Sequence, residues 1–258
     1  MIRQNLPRSS PVKLFMIVTS VFCFELLGIC WAISVASAVE AVMNLHRAED
    51  DDTQWMTSSQ ELMDWVQSDL DNIKNSGLRR MYNVWNHVFK KKVSKEENYK
   101  YVGEPALEKE RFALGVTIPE RVVLRISGFE VIEPVDDERL LLRQLATMPV
   151  VASLEATPSF LDWKGQTIFT RDTETTEDQK TRRDKKVELH SILVVGVTRR
   201  LNYFLIRNSY GKDWVFKIRG ADRRWTAKGL GKVLRASSRS SRQSLFTSFS
   251  YPKPWVPP

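Results

Sequence analysis

The chain is short of the residues from which disulfide scaffolds and metal centres are built. Its 258 residues include two cysteines, Cys23 and Cys30, and three histidines. Two cysteines exclude a disulfide-dense scaffold, and their spacing matches no zinc or redox motif, although a bridge between them is open in principle. Glycine and proline, eleven of each, are too few for a collagen-like or low-complexity chain, and 42% apolar residues exclude disorder. Acidic residues are missing from both ends. Residues 1–13 carry Arg3, Arg8 and Lys13, and residues 223–258 carry eight basic side chains, with no acid in either stretch. All 31 acids lie in 14–222, against 28 basic residues, so the net charge of +8 belongs to the ends and the body is faintly acidic. A general argument from basicity to a polyanion partner therefore fails. What the length does allow is one large domain or two small lobes with a real core.

The most hydrophobic stretch, Leu14–Met43, admits three readings. Basic residues before Leu14–Phe24, followed by Ala36-Ser37-Ala38, imitate a signal peptide and its cleavage site. A transmembrane helix is the second, but Glu25 would sit in mid-bilayer at a cost of a few kcal/mol. A buried helix is the third. Cys30–Met43 is rich in alanine and apolar nearly all round, as a central core helix is, and the signal reading would cut it away.

Further along, Thr57-Ser58-Ser59-Gln60-Glu61 offers a capping signature ahead of an amphipathic helix. Leu78–Phe89 repeats apolar residues at helical spacing. From Val122 the texture changes to short β-type runs, Val122–Leu124, Val150–Leu154, Ile192–Val197 and Tyr203–Ile206, with a short helix over Asp136–Thr147. Thr170–Lys186 is charged and without apolar periodicity, so it reads as a surface loop. Beyond Lys228 the chain is rich in Gly, Ser and Arg and ends Pro-rich, which predicts a loosely packed basic tail over 223–258. Within it, Arg235–Arg242 resembles an Arg/Ser tract, but no aromatic residues interleave with the basic ones, and no nucleic-acid partner is expected. Gly229-Leu230-Gly231-Lys232 is too short for a phosphate loop.

Cys30 stands at the start of the predicted core helix, where the helix dipole lowers a thiol pKa. A nucleophilic thiol needs a base, and the base needs an orienting partner. His46 follows the helix on a polar loop, and His87 lies on an amphipathic helix. His190 opens a strand-like run, and Asn208 closes another eighteen residues later. Two neighbouring strands would set His190 beside an amide that fixes its tautomer, although a histidine at a strand start is more often structural.

These segments resemble the papain-like cysteine proteases, in the same order along the chain. Gly28-Ile29-Cys30-Trp31-Ala32-Ile33-Ser34 resembles the family's nucleophile motif. Ser59–Asp64 is similar to the segment after the first helix, Asn75-Ser76-Gly77-Leu78 to the stretch lining the substrate cleft, and Tyr99-Lys100-Tyr101 to a Tyr-Pro-Tyr element. Glu138–Val151 and Phe160–Ile168 resemble parts of the second lobe. Val187–His190 with Val194–Gly196 resembles the histidine strand, and Asn202–Trp214 the asparagine strand with its Asn-Ser-Trp-Gly motif. The likeness runs over about residues 28–218.

The resemblance implies an α+β, two-lobe fold with the active-site cleft between the lobes. Residues 28–120 would form the helical left lobe and 121–222 the β-rich right lobe, after a divergent segment at 1–27. Cys30 would be the nucleophile, His190 the general base and later acid, Asn208 its orienting group, and the Cys30 backbone N–H half of the oxyanion hole. Trp31, Ser76, Gly77 and Tyr210 would lie at the cleft. The reaction would be peptide-bond hydrolysis through a thioester, with no cofactor and no metal. The chain is expected to act as a monomer on peptide or protein substrates, away from a membrane. Cystatin-like inhibitors are implied as partners, and the lysosome, vacuole or exterior as the compartment. Four departures stand against full activity. Phe24 occupies the place of the Gln that donates the second oxyanion hydrogen bond, a loss worth about 10²–10³ in turnover. Leu27 and Trp65 stand where half-cystines are expected, which predicts lower stability. Tyr210 replaces the Trp that shields the His–Asn pair. No prodomain precedes the catalytic part, so the chain is expected to be a fragment or to fold by another route. A catalytically silent binding module remains the alternative reading.

Overall fold

A computed structural model of the chain describes residues 29–45, 55–70, 77–102, 123–133, 135, 138–163, 167–171, 174–185, 187–198, 203–209, 215–216, 227–228, 230–235 and 244–254. Helix α1 (Cys30–Leu45) is the central element, and Trp31 through Val42 are all buried. A helix apolar all round has no solvated face to offer, so it can exist only inside a core. Here it is the core helix that the residues after Cys30 predict. Its far end is pinned by Asn44, whose side chain donates to Trp55 O (3.1 Å) and accepts from Trp55 N (3.0 Å). Among the described residues, no helix is long and apolar enough to cross a membrane.

Helices α2 (Ser59–Leu70) and α3 (Gly77–Lys91) pack beside it. The Ser58 hydroxyl caps α2 by accepting from Glu61 N at 3.0 Å. Glu61 does not complete the box. Its carboxylate instead takes the Ser94 N–H of strand β1 (Val93–Ser94), and Ser58 N donates to Ser94 O, so the helix start is tied to a strand. In α3, Met81, Val84, Trp85 and Val88 are buried at helical spacing, and the helix stops at Lys92, a left-handed residue with φ 66°.

The other half is a seven-stranded sheet. Short strand β2 (Val123–Leu124) pairs with β1; the large sheet runs β3 (Ile126–Ile132), β11 (Phe246–Pro254), β4 (Val150–Glu155), β6 (Leu189–Val197), β7 (Tyr203–Arg207), β10 (Leu230–Leu234), β5 (Ile168–Phe169). All neighbours are antiparallel except β10 and β5. A third small pair joins β8 (Val215–Phe216) to β9 (Ala227–Lys228). Side-chain alternation splits the strands between two cores. Val151, Leu193 and Val195 face the three helices, whereas Val150, Ala152, Ile192 and Val194 face helix α4 (Glu138–Leu145) and α5 (Pro158–Asp162). The architecture is α+β: helices α1–α3 lie on one side of a mostly antiparallel sheet and α4 and α5 on the other, with α1 laid against β6.

Two sequence expectations are corrected. The stretch Thr170–Lys186, read as a loop, contains helix α6 (Thr176–Arg183), held by a capping box between Thr175 and Asp178. Polar helices of this kind show no apolar period because caps and ion pairs hold them. Arg182 is gripped by Glu155 and Glu174. The supposedly loose tail over 223–258 supplies β10 and β11, and β11 lies between β3 and β4 with Phe246 and Phe249 buried. A register shift between Phe246 and Ser248 hides the alternation. Pro252 and Pro254 pair only with β3, beyond the end of β4, where β11 has a single neighbour and proline is tolerated.

Candidate active site

Three elements converge on one place. Helix α1 begins at Cys30. Strand β6 carries His190 as its second residue, 7% exposed, and Asn208 follows the last residue of β7, 3% exposed. Because β6 and β7 are adjacent antiparallel strands, the start of one lies beside the end of the other, and the eighteen-residue separation closes to a contact. His190 Nε2 lies 2.7 Å from Asn208 Oδ1. Ser209 N–H also donates to that oxygen, at 2.9 Å, which fixes which end of the amide is the acceptor. The proton between His190 and Asn208 is therefore on Nε2, and Nδ1 is left for the thiol.

Cys30 is a free thiol, so the bridge to Cys23 is not formed; Cys23 itself lies outside the described residues. The Ser191 N–H points at Cys30 Sγ from 3.3 Å. Burial pushes the Cys30 pKa up, but the charge of His190, its hydrogen bond and the N–H groups of Ser191 and Trp31 outweigh burial and leave it lowered. Burial likewise disfavours the His190 cation, and the Cys30 charge with hydrogen bonds from Cys30 and Asn208 reverses that, raising its pKa. The two groups titrate as a pair biased toward thiolate and imidazolium.

The remaining predicted residues divide. Trp31 contributes its backbone N–H, while its side chain is buried in the helix-side core. Gly77 opens α3. Phe24, Ser76, Tyr210 and His46 lie outside the described residues. His87 is remote from the cluster, stacked on Trp65 at 6.3 Å between ring centroids. Among the described residues no group of three or more His, Cys, Asp or Glu is arranged to hold a metal. Sequence reasoning missed Phe160, fully buried, whose ring centroid lies 5.5 Å from that of His190. The only sequence signal for it was its place in the second-lobe likeness.

The profile of the papain family of cysteine proteases matches residues 13–218. The chain belongs to that family. It is 27% identical over 191 residues to vignain of Vigna mungo and 30% identical over 193 residues to the probable cysteine protease RDL3 of Arabidopsis thaliana. Each match takes in 72% of this chain but 46% and 45% of the relative, so the chain spans about half the length of the curated proteins it matches. Its fold is that of the Carica candamarcensis cysteine protease CMS1MS2, solved in complex with E-64, with a TM-score of 0.64 at 19% identity. That superposition covers 93% of this chain and 95% of the other. Bromelain from Ananas comosus, also solved with E-64, gives 0.62 at 17% identity over 93% and 96%.

Proposed function

We propose that the chain is a cysteine-type peptidase acting through Cys30, His190 and Asn208. The observation that carries this is the site of Cys30, His190 and Asn208: a thiol held by a backbone N–H beside a histidine whose far nitrogen is fixed by an amide oxygen. The Cys30 thiolate attacks the peptide carbonyl carbon and forms a C–S bond, moving the carbonyl π electrons onto oxygen. The Cys30 backbone N–H, at the start of α1 where helical N–H groups have no intrahelical acceptor, stabilises that oxyanion. Collapse breaks the C–N bond while His190 gives its proton to the departing amine, leaving a thioester. Neutral His190 then takes a proton from water, whose oxygen attacks the thioester and releases the acid and the thiolate. Asn208 holds the imidazole in plane throughout. The lobes over 28–120 and 121–222 flank the cleft, the peptide enters between them, and the family resemblance assigns cystatin-like protein inhibitors to the same cleft.

Phe24 in the place of the expected oxyanion Gln favours a second reading, in which turnover is strongly impaired or absent and the site binds without cutting. A peptidyl epoxide probe and a dipeptide amide separate the two. Labelling at Cys30, lost in Cys30→Ala, together with release of the amine supports the peptidase. Labelling with no release supports the binding module, and folded protein that is not labelled overturns both.

A further inference from the structure

We propose that Phe160 and Asp178 are positioning residues for His190, built into the chain by helix α6; this rests on the catalytic reading above. His190 is fixed at one end by Asn208, and its ring is met by that of Phe160 at 5.5 Å between centroids and an interplanar angle of 49°. Phe160 is itself 0% exposed and wedged among Trp163 (5.8 Å) and Phe169 (5.1 Å, edge-on). A ring packed on three sides cannot yield, so His190 cannot swing away from Cys30 through the space that Phe160 fills.

What holds Phe160 is unusual. It lies in α5, a five-residue helix whose N-cap, Thr157, makes no side-chain capping bond. A helix of so few residues is unstable alone. Its exposed first-turn donor is met from outside instead. Ser159 N donates to Asp178 Oδ1 at 2.9 Å, and Ser159 Oγ donates to Asp178 Oδ2 at 2.5 Å. The same carboxylate accepts from Thr175 N (2.6 Å) and Thr175 Oγ1 (3.1 Å), closing the capping box of α6. Asp178 is fully buried, and although burial works against its charge, these hydrogen bonds hold its pKa below the usual carboxylate range. One carboxylate thus serves the starts of two helices, and Phe160, the residue after Ser159 in α5, packs on the histidine. Arg182, in the last turn of α6, pairs with Glu155 and Glu174, apart from the bonds between Ser159 and Asp178.

The test uses the full chain as Phe160→Leu, Asp178→Asn and, as a stability control, Arg182→Met. Each variant is checked for folding by circular dichroism at low temperature. Alkylation of Cys30 by iodoacetamide, a neutral reagent, is followed against pH by mass spectrometry of the Cys30 peptide. Phe160→Leu and Asp178→Asn should move the acid limb of that profile upward by about half a unit or more, because a mobile His190 stabilises the thiolate less. They should lower kcat about tenfold at nearly unchanged KM. Arg182→Met should lower the melting temperature and leave the profile in place. Folded Phe160→Leu and Asp178→Asn proteins with the parental profile would overturn the proposal while leaving the catalytic reading intact. A parent whose Cys30 alkylates as an ordinary thiol would overturn the catalytic reading, and this one with it.

Discussion

At the scale of single residues, the position of one proton decides what Cys30 can do. Ser209 N–H and His190 Nε2 share Asn208 Oδ1, so Asn208 cannot flip without losing two hydrogen bonds. Replacing it with Ala frees the tautomer and the ring plane, and we expect kcat to fall about 10- to 100-fold, a part of the 10²–10⁴ that general acid–base catalysis supplies. The pH dependence follows from the two shifts. On the proposed mechanism, the active form needs Cys30 deprotonated and His190 protonated. Activity is lost toward acid as the thiolate takes a proton, at a pKa lowered from the ordinary thiol value. It is lost toward alkali as His190 gives its proton up, at a pKa raised from the ordinary imidazole value. The plot of kcat/KM against pH should be a bell whose acid limb lies below the ordinary thiol pKa and whose alkaline limb lies above the ordinary imidazole pKa, and a single rising limb near the normal thiol pKa would contradict the ion pair. Phe24 makes the third test. Phe24→Gln should raise kcat, by up to about 10²–10³ if the missing donor is the whole defect, and an unchanged rate would locate the defect elsewhere.

Elements show which signals the sequence carried plainly and which it concealed. Helix α1 and strands β4, β6 and β7 were legible as continuous apolar runs, because they are buried all round or on both faces, and α3 as apolar residues at helical spacing. Helix α6 was not, because nothing apolar marks it; the legible trace was Thr175 with Asp178 three residues on, a capping pair. The three proposed catalytic positions left a weak trace in a helix start and two strand ends and a firmer one in their family likeness, whereas the Phe160 contact depends on α5, whose local trace is Thr157 ahead of Pro158. A similar substitution of one device for another occurs at α2. Trp65 stands where the family resemblance expects a half-cystine, and it lies against His87 of α3 with ring planes 30° apart. Close by, Tyr99 OH donates to Asp64 Oδ2 (2.7 Å) and Gln60 Nε2 to Asp64 Oδ1 (2.9 Å), tying α2 to the segment after β1. Stacking and a hydrogen-bonded carboxylate thus stand in for a covalent tie between helix and loop. Trp65→Ala should cost about 2 kcal/mol, since the indole is only half-buried, and lower the melting temperature by roughly 4–8 °C without moving the alkylation profile of Cys30.

At the scale of the whole molecule, the helical half is joined to the last strand. Trp85 of α3, fully buried, donates its indole N–H to Ser250 Oγ of β11 at 2.8 Å, across 165 residues of sequence. Ser250 pairs with Val151 of β4 on one side and Val131 of β3 on the other, so one hydroxyl links the helix-side core to three strands. The apparent looseness of the tail hid this, since Ser-Phe-Ser-Tyr-Pro reads as linker until Phe249 and Ser250 are assigned to opposite faces. Phe249 faces the α4 side, where it belongs to the second core, and Ser250 faces α3. The helical half therefore cannot complete its packing until the C-terminal strand has entered the sheet, and long-range closure of this kind makes folding slow. The link can be weighed by a double-mutant cycle. Ser250→Ala leaves a buried indole N–H without an acceptor and should cost about 1–3 kcal/mol. Trp85→Phe removes donor and volume together and should cost more, through the cavity. In the double variant the orphaned donor is gone, so the two losses should fall short of additive by about 1 kcal/mol or more, read as urea midpoints at constant m-value. Strict additivity would mean that the bond contributes nothing and that β11 is held by its ladder and its phenylalanines alone.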